Sequence, residues 1–235
     1  MTSRYLIIAD DITGSNDTGV QLKRRGLDTV VTLDAASVGI QPVSYVLDTE
    51  SRPLYGDAAF CVLSEAVSKL DMSKFDHVVK KVDSTLRGPI AHEVAAVDKA
   101  YKPELIVFMP ALPDLGRTTT NGVHMLQGKP ITETELAKDP IAPVREDNLQ
   151  KILEKVYDEP VTHIGLEAIE SGNITLNGGR VYIHSTRRQT RICAKLFRRQ
   201  SLRARRYSGL ARRLLSTIWQ MFRHRINQRW LLSRV

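Results

Sequence analysis

Short apolar runs separated by polar turns organise the first 179 residues. Tyr5–Ala9 (YLIIA) is an uninterrupted apolar run, the pattern of a strand buried on both faces of a parallel sheet. Comparable runs recur near residues 29, 45, 77, 105 and 162, among them Tyr45–Asp48, Asp76–Val82 and Leu105–Met109. Between them, the spacing predicts helices over about Asn16–Arg24, Asp57–Leu70, Ile90–Tyr101 and Asp147–Tyr157. Strands alternating with helices predict an α/β fold: three layers, Rossmann-like, a mainly parallel sheet with helices on both faces. At 235 residues the chain can bury a full core as one such domain.

The polar residues gather where the strands end. Asp10 and Asp11 follow the first run, Asp48–Pro53 with Arg52 follows the run at 45, and Asp83–Pro89 with Arg87 follows the run at 77. Pro110–Thr120, with Arg117 and three threonines, leaves the run at 105. In an open α/β sheet, ligands bind outside the carboxyl ends of the strands. Adjacent carboxylates there can orient hydroxyls, hold a divalent cation through water, or act as a base. Arginine forks beside hydroxyl side chains suit a carboxylate or a phosphate. The competing reading is local: Asp11 or Ser15 caps a helix while Gly14 and Gly19 serve the turn. Capping alone does not explain four strand ends with convergent chemistry, so a ligand site is expected.

Three segments also carry a family resemblance. ADDITGSNDTGVQ from Ala9, KKVDSTLRG from Lys80, and GRTTTNGVHMLQGKPITETELAKDPIAPV from Gly116 together resemble the four-carbon acid sugar kinases. The resemblance covers about Tyr5 to Gly179. It implies an N-terminal domain that binds a tetronate and a separate C-terminal domain that binds ATP with Mg²⁺. The NDTGVQ wording is most similar to the threonate and erythronate members. Carried over by position, Asp10 and Asp11 match the family's ADD, one of them being the implied base for the attacking hydroxyl. Arg52 matches the arginine after the second long strand. Lys81, Val82, Asp83 and Ser84 match the substrate-contacting stretch, with Thr85 and Arg87 just beyond. A tetronate carries one carboxylate and three hydroxyls, so Arg52 and Arg87 are its expected carboxylate clamp. Phosphoryl transfer rests mostly on positioning and charge stabilisation, which a single base can complete.

Charge changes the picture for the remainder. Of 34 basic residues, 16 fall in residues 180–235, which contain no Asp or Glu; the other 18 face 26 acids in residues 1–179. The formal net charge of +8 therefore averages an acidic piece and a strongly basic one. The expected organisation is an acid-sugar-binding domain over 1–179 and a basic tail over 180–235 in place of the nucleotide domain. Three readings of the tail stand: a frameshifted segment; an arm binding nucleic acid through Arg with Tyr207, Trp219, Phe222 and Trp230; or an amphipathic surface helix with Leu215, Ile218, Trp219, Phe222 and Ile226 at helical spacing. On this organisation the chain binds substrate at most and holds neither ATP nor Mg²⁺ tightly. The alternatives are an Arg-rich nucleic-acid-binding protein on a degenerate kinase domain, or a non-functional product.

Other features constrain less. Cys61 and Cys193 are too far apart in context to suggest a disulfide framework or a zinc site. The start MTSRYLIIADD does not read as a signal peptide, no run of eighteen apolar residues exists, and a cytoplasmic location is expected. His77, His92 and His163 read as structural, while His124, after the GRTTTNG turn, is a possible cleft residue. No metal-ligand spacing and no glycine-rich phosphate loop followed by Lys is present.

Overall fold

Tyr5–Ala9 forms strand β1, buried along its whole length, as its unbroken apolar sequence requires. This is a computed structural model, and it describes residues 3–103, 105–165, 180–183 and 231–233. The tail positions 215–226 and Cys193 lie outside the described residues. Helix α1 (Ile12–Lys23) starts earlier than expected, because Asp11 is its cap: the Asp11 carboxylate accepts from the Gly14 amide at 3.0 Å. Gly14 and Gly19 thus lie inside the helix and not in the turn. The chain continues through β2 (Thr29–Thr32), β3 (Ser44–Asp48), α2 (Gly56–Ser68), β4 (His77–Lys80), α3 (Ile90–Tyr101) and β5 (Leu105–Phe108).

Residues 117–120, expected as the end of a polar turn, instead open a separate antiparallel sheet of β6 (Arg117–Thr120), β7 (Val123–Leu126) and β8 (Lys129–Pro130). Its first hairpin turns through Asn121 and Gly122, whose φ angles are +50° and +82°. An Asn-Gly pair with two positive φ values matches the right-handed strand twist, which explains a two-residue turn here. Helix α4 (Leu149–Leu153) is shorter than the expected Asp147–Tyr157; Asn148 caps it by accepting from the Gln150 and Lys151 amides. Strands β9 (Val161–Ile164), β10 (Arg180–Ile183) and β11 (Leu231–Ser233) complete the described elements.

Among the described residues the main sheet has the order β2-β3-β1-β4-β11-β5-β10-β9. All its pairings are parallel except those of β11, which lies antiparallel between β4 and β5, with Leu232 opposite both Val78 and Ile106. The chain first runs outward from β1 to β2, then returns through β3 and passes on to β4 and β5. Right-handed crossovers place α1 on one face and α2 with α3 on the other, and α2 packs directly on α3. The direction reverses between β1 and β4, so the carboxyl ends of those strands form the crevice where such sheets bind ligands. Among the described residues, no helix is long and apolar enough to cross a membrane.

The core beneath this crevice joins Leu6, Ile8, Val46, Leu63, Val78, Val94 and Phe108. Into it the sequence places a charged pair. Lys80 at the end of β4 and Glu93 in α3 are both essentially unexposed, with Nζ and Oε2 3.0 Å apart. Lys80 Nζ also donates to the Lys81 carbonyl at 3.1 Å, and Ser51 Oγ donates to Glu93. Removing one partner of such a pair strands the other charge without water, whereas removing both does not. Lys80→Met is therefore expected to cost about 3–5 kcal/mol in urea unfolding, and Lys80→Met with Glu93→Leu to recover most of that loss. A double variant no better than the single one would contradict this.

Candidate functional site

Three strand ends converge at the reversal point, and backbone hydrogen bonds carry their alignment past the strands. Thr49 N donates to Ala9 O (3.0 Å), Arg52 N to Asp10 O (3.1 Å) and Lys81 N to Ile8 O (2.8 Å). Asp10 and Asp11 beyond β1, Arg52 beyond β3 and Lys81 beyond β4 are thereby brought together. Arg52 Nε donates to Asp10 Oδ2 at 2.8 Å, and Nη1 to Asp11 Oδ2 at 2.6 Å. Lys81 Nζ reaches Asp10 Oδ1 at 3.3 Å and Asp11 Oδ1 at 3.2 Å. Each carboxylate thus lies between an arginine and a lysine drawn from two different strands.

The two aspartates, equivalent in sequence, differ in structure. The Asp10 side chain is 1% exposed and that of Asp11 22%. Burial pushes the Asp10 carboxyl up, but the charges of Lys80, Lys81 and Arg52 outweigh it and hold the group below the usual carboxylate range. Asp10 is a fixed charge that orders its neighbours, whereas Asp11 faces outward while capping α1.

Gly14 and Gly88 permit the arrangement. A Cβ on Gly14 would stand 1.9 Å from Lys81 Nζ, so only glycine lets the lysine lie over the start of α1. Gly88, at φ +93°, packs against Arg52, where a Cβ would meet Cγ at 3.3 Å and the carbonyl oxygen at 3.4 Å.

The stretch after β4 supplies the remaining expected residues. Asp83 accepts from Arg87 Nε at 2.6 Å and from the Thr85 hydroxyl. Burial raises the Asp83 carboxyl, yet Arg87, Thr85 and Arg52 together hold it well below its ordinary value. Arg87 is thus engaged by Asp83, and also by Asp139 at 3.5 Å. Val82 is fully buried in the hydrophobic core. Ser84 is wholly buried. Its hydroxyl accepts from Arg117 Nη1 at 2.8 Å, and its carbonyl accepts from His124 Nε2 at 2.8 Å.

Several of these residues were not marked by sequence reasoning. Lys80 and Glu93 carried no signal, since a lysine beside Lys81 reads as a surface charge. Arg117 stood in the GRTT segment but without an assigned role. Asp48, at the end of β3, is buried, with one oxygen accepting from the Glu50 amide at 3.0 Å and Oδ2 without a hydrogen-bond partner. Burial pushes its carboxyl up, and the charges of Glu50, Asp11 and Asp10 add to this against the opposing Glu50 amide bond. His124, a possible cleft residue by sequence, is fully buried behind Ser84. Burial pushes it down from 6.5 to about 4, so the ring is neutral near pH 7. Beside the cluster, a cleft of about 190 Å³ opens between Arg52, Tyr55, Leu86, His92, Arg145 and Ile152.

A family model described as the sugar-binding N-terminal domain matches residues 5–194, most of the chain and all of this site. The chain belongs to that family. Among its relatives, D-threonate kinase of Salmonella typhimurium is 37% identical over 174 residues, covering 73% of this chain and 41% of the relative. D-threonate kinase of Bordetella bronchiseptica is 38% identical over 63% of this chain and 38% of its own length. D-erythronate kinase of Heliobacterium modesticaldum is 32% identical over 73% and 40%. The chain thus spans about two fifths of the length of the curated relatives it matches. A domain of unknown function from Bordetella bronchiseptica, crystallised with citrate as a domain-swapped dimer, superposes with TM-score 0.69 at 29% identity over 84% of this chain and 50% of that one. A putative tRNA synthase from Salmonella typhimurium shares the fold, with TM-score 0.69 at 23% identity over 83% and 52%.

Two outcomes follow for this sugar-binding domain. Gly14→Ala gains about 1 kcal/mol of helix propensity while its methyl displaces Lys81. Because displacing Lys81 strips buried Asp10 of a countercharge, the loss exceeds that gain: the melting temperature should fall, and labelling of Lys81 by an amine reagent should rise above that of the parent. His124 titrates near 6.5 when unfolded and near 4 when folded, so its contribution is complete above pH 6.5 and lost as pH falls toward 4, on the order of 3 kcal/mol. Urea unfolding from pH 7 to 4 should show that slope, and His124→Gln should lack it.

Proposed function

We propose that this chain is the acid-sugar-binding part of a tetronate kinase, taking D-threonate or D-erythronate at the crevice between β1 and β4. The observation that supports it most is the pairing of a partly exposed Asp11 with Arg52, which also lines the adjoining cleft. A tetronate presents both a carboxylate and hydroxyls, and this pairing offers a guanidinium beside a carboxylate acceptor. The substrates named for the relatives agree with this reading, and so does the carboxylate-rich citrate held by the Bordetella bronchiseptica domain.

Asp11 is the better candidate to take a hydroxyl proton, because it is reachable and Asp10 is covered. Asp10, Lys81 and Asp83 then hold Asp11 and Arg52 in place, and Arg87 stays bound to Asp83. Ser84 and Thr85 line the same turn from within. Arg52 and Lys81 already compensate the two carboxylates. On this reading ATP and Mg²⁺ are assigned to the part of the relatives beyond the matched residues, and acid binding to the residues described.

Calorimetric titration of the purified chain with D-threonate, D-erythronate and L-threonate tests this. One tetronate should bind, with affinity unchanged by ATP and Mg²⁺, and Asp11→Asn should weaken it about tenfold, the loss of one charge-assisted hydrogen bond. A folded sample that binds none of the three would overturn the assignment.

A further inference from the structure

We propose that the β6–β7 hairpin is the positioning element of this site: through His124 and Arg117 it holds the buried Ser84, and with it the turn that sets Asp83 and Arg87 beside Arg52. The proposal rests on the crevice being the acid-binding site. It assigns roles to residues that make no contact with Asp10, Asp11 or Arg52.

The directions of the hydrogen bonds follow from chemistry. A carbonyl oxygen only accepts, so the 2.8 Å contact between Ser84 O and His124 Nε2 places the ring proton on Nε2. The neutral ring then has a bare Nδ1, which accepts from the Thr119 hydroxyl at 3.1 Å. Thr119 and His124 are direct partners in the β6–β7 register, so the hairpin itself selects this tautomer. A guanidinium only donates, so at 2.8 Å Arg117 Nη1 makes Ser84 Oγ an acceptor and leaves the serine hydrogen for another partner.

Independent observations point the same way. Arg117 Nε is buried without a hydrogen-bond partner, a cost that packing alone gives no reason to retain. Ser84, Thr119 and His124 are each completely buried, so the contact between the hairpin and the turn after β4 is closed to water. Asp83 and Thr85, on either side of Ser84, are tied to one another. The turn therefore cannot adjust locally, and the orientation of Ser84 is set by the hairpin.

The test compares the full chain with His124→Gln, His124→Leu, Thr119→Val and Arg117→Met. The readouts are calorimetry with the tetronate that binds the parent and amide hydrogen exchange over residues 81–87. Glutamine can place an amide N–H where Nε2 stands, and leucine cannot. His124→Leu should weaken binding about tenfold or more and speed exchange over 81–87. His124→Gln should recover most of both losses, and Arg117→Met, which removes the other hold on Ser84, should produce a smaller loss in both readouts. Thr119→Val, which keeps the side-chain volume and releases the tautomer, should lie between parent and His124→Leu; it decides the matter if the leucine variant does not fold. If glutamine proves no better than leucine, or Thr119→Val matches the parent in both readouts, the hairpin is mere packing and the proposal is overturned. If the parent binds no tetronate, the function proposed above fails, while the exchange pattern still decides whether the hairpin holds the turn.

Discussion

Two carboxylates taken out of water at the end of a buried strand must be compensated, and the crevice is arranged around that requirement. Asp10 and Asp11 each lie between Arg52 and Lys81. Because those cations come from β3 and β4, the charge compensation also fixes how three strand ends sit relative to one another. A buried pair with one member missing costs several kcal/mol, so the set is mutually dependent. Gly14 exists to admit Lys81 and Gly88 to admit Arg52, which makes two backbone positions part of the same electrostatic solution.

The same logic separates residues that face a ligand from residues that support them. Asp10, Lys80, Lys81, Asp83 and Glu93 are buried and ion-paired. Asp11, Arg52 and Arg87 retain exposure at the surface of this network. A site built in this way is ordered before a ligand arrives, which lowers the entropy that binding must overcome. The hairpin extends the support to Ser84, where a neutral histidine serves better than a charged one because its bare Nδ1 can accept from Thr119.

The placement of β11 shows how far the fold depends on long-range pairing. Its three residues lie between β4 and β5, antiparallel to both, so the strand that leads into the turn at Asp83 is bonded to the last described residues of the chain. Nothing in the tail's composition marked it, since three residues carry no periodicity. The family match likewise runs on to residue 194 and so includes β10, where the abrupt change of charge begins.

How much was legible in the sequence depends on the range of the interaction concerned. Strands buried on both faces announce themselves as apolar runs, so β1, β3, β4 and β5 were readable, as was α3 at its full length. The gathering of Asp10, Asp11 and Arg52 was also readable, because strand ends of a parallel sheet necessarily lie on one edge; Lys81, read as part of the strand before the turn, came only with the family resemblance. The Asn121-Gly122 turn was a local signal of the hairpin, though not of what the hairpin touches. The difference between Asp10 and Asp11, the burial of Lys80 with Glu93 and the grip of His124 on Ser84 were decided by tertiary structure alone. The sequence by itself determined which groups stand at the strand ends. Only the fold determined which of them face water and which are paired, because burial and charge compensation arise between residues that the chain separates by 13 to 71 positions and that only the tertiary structure brings within 3 Å or so.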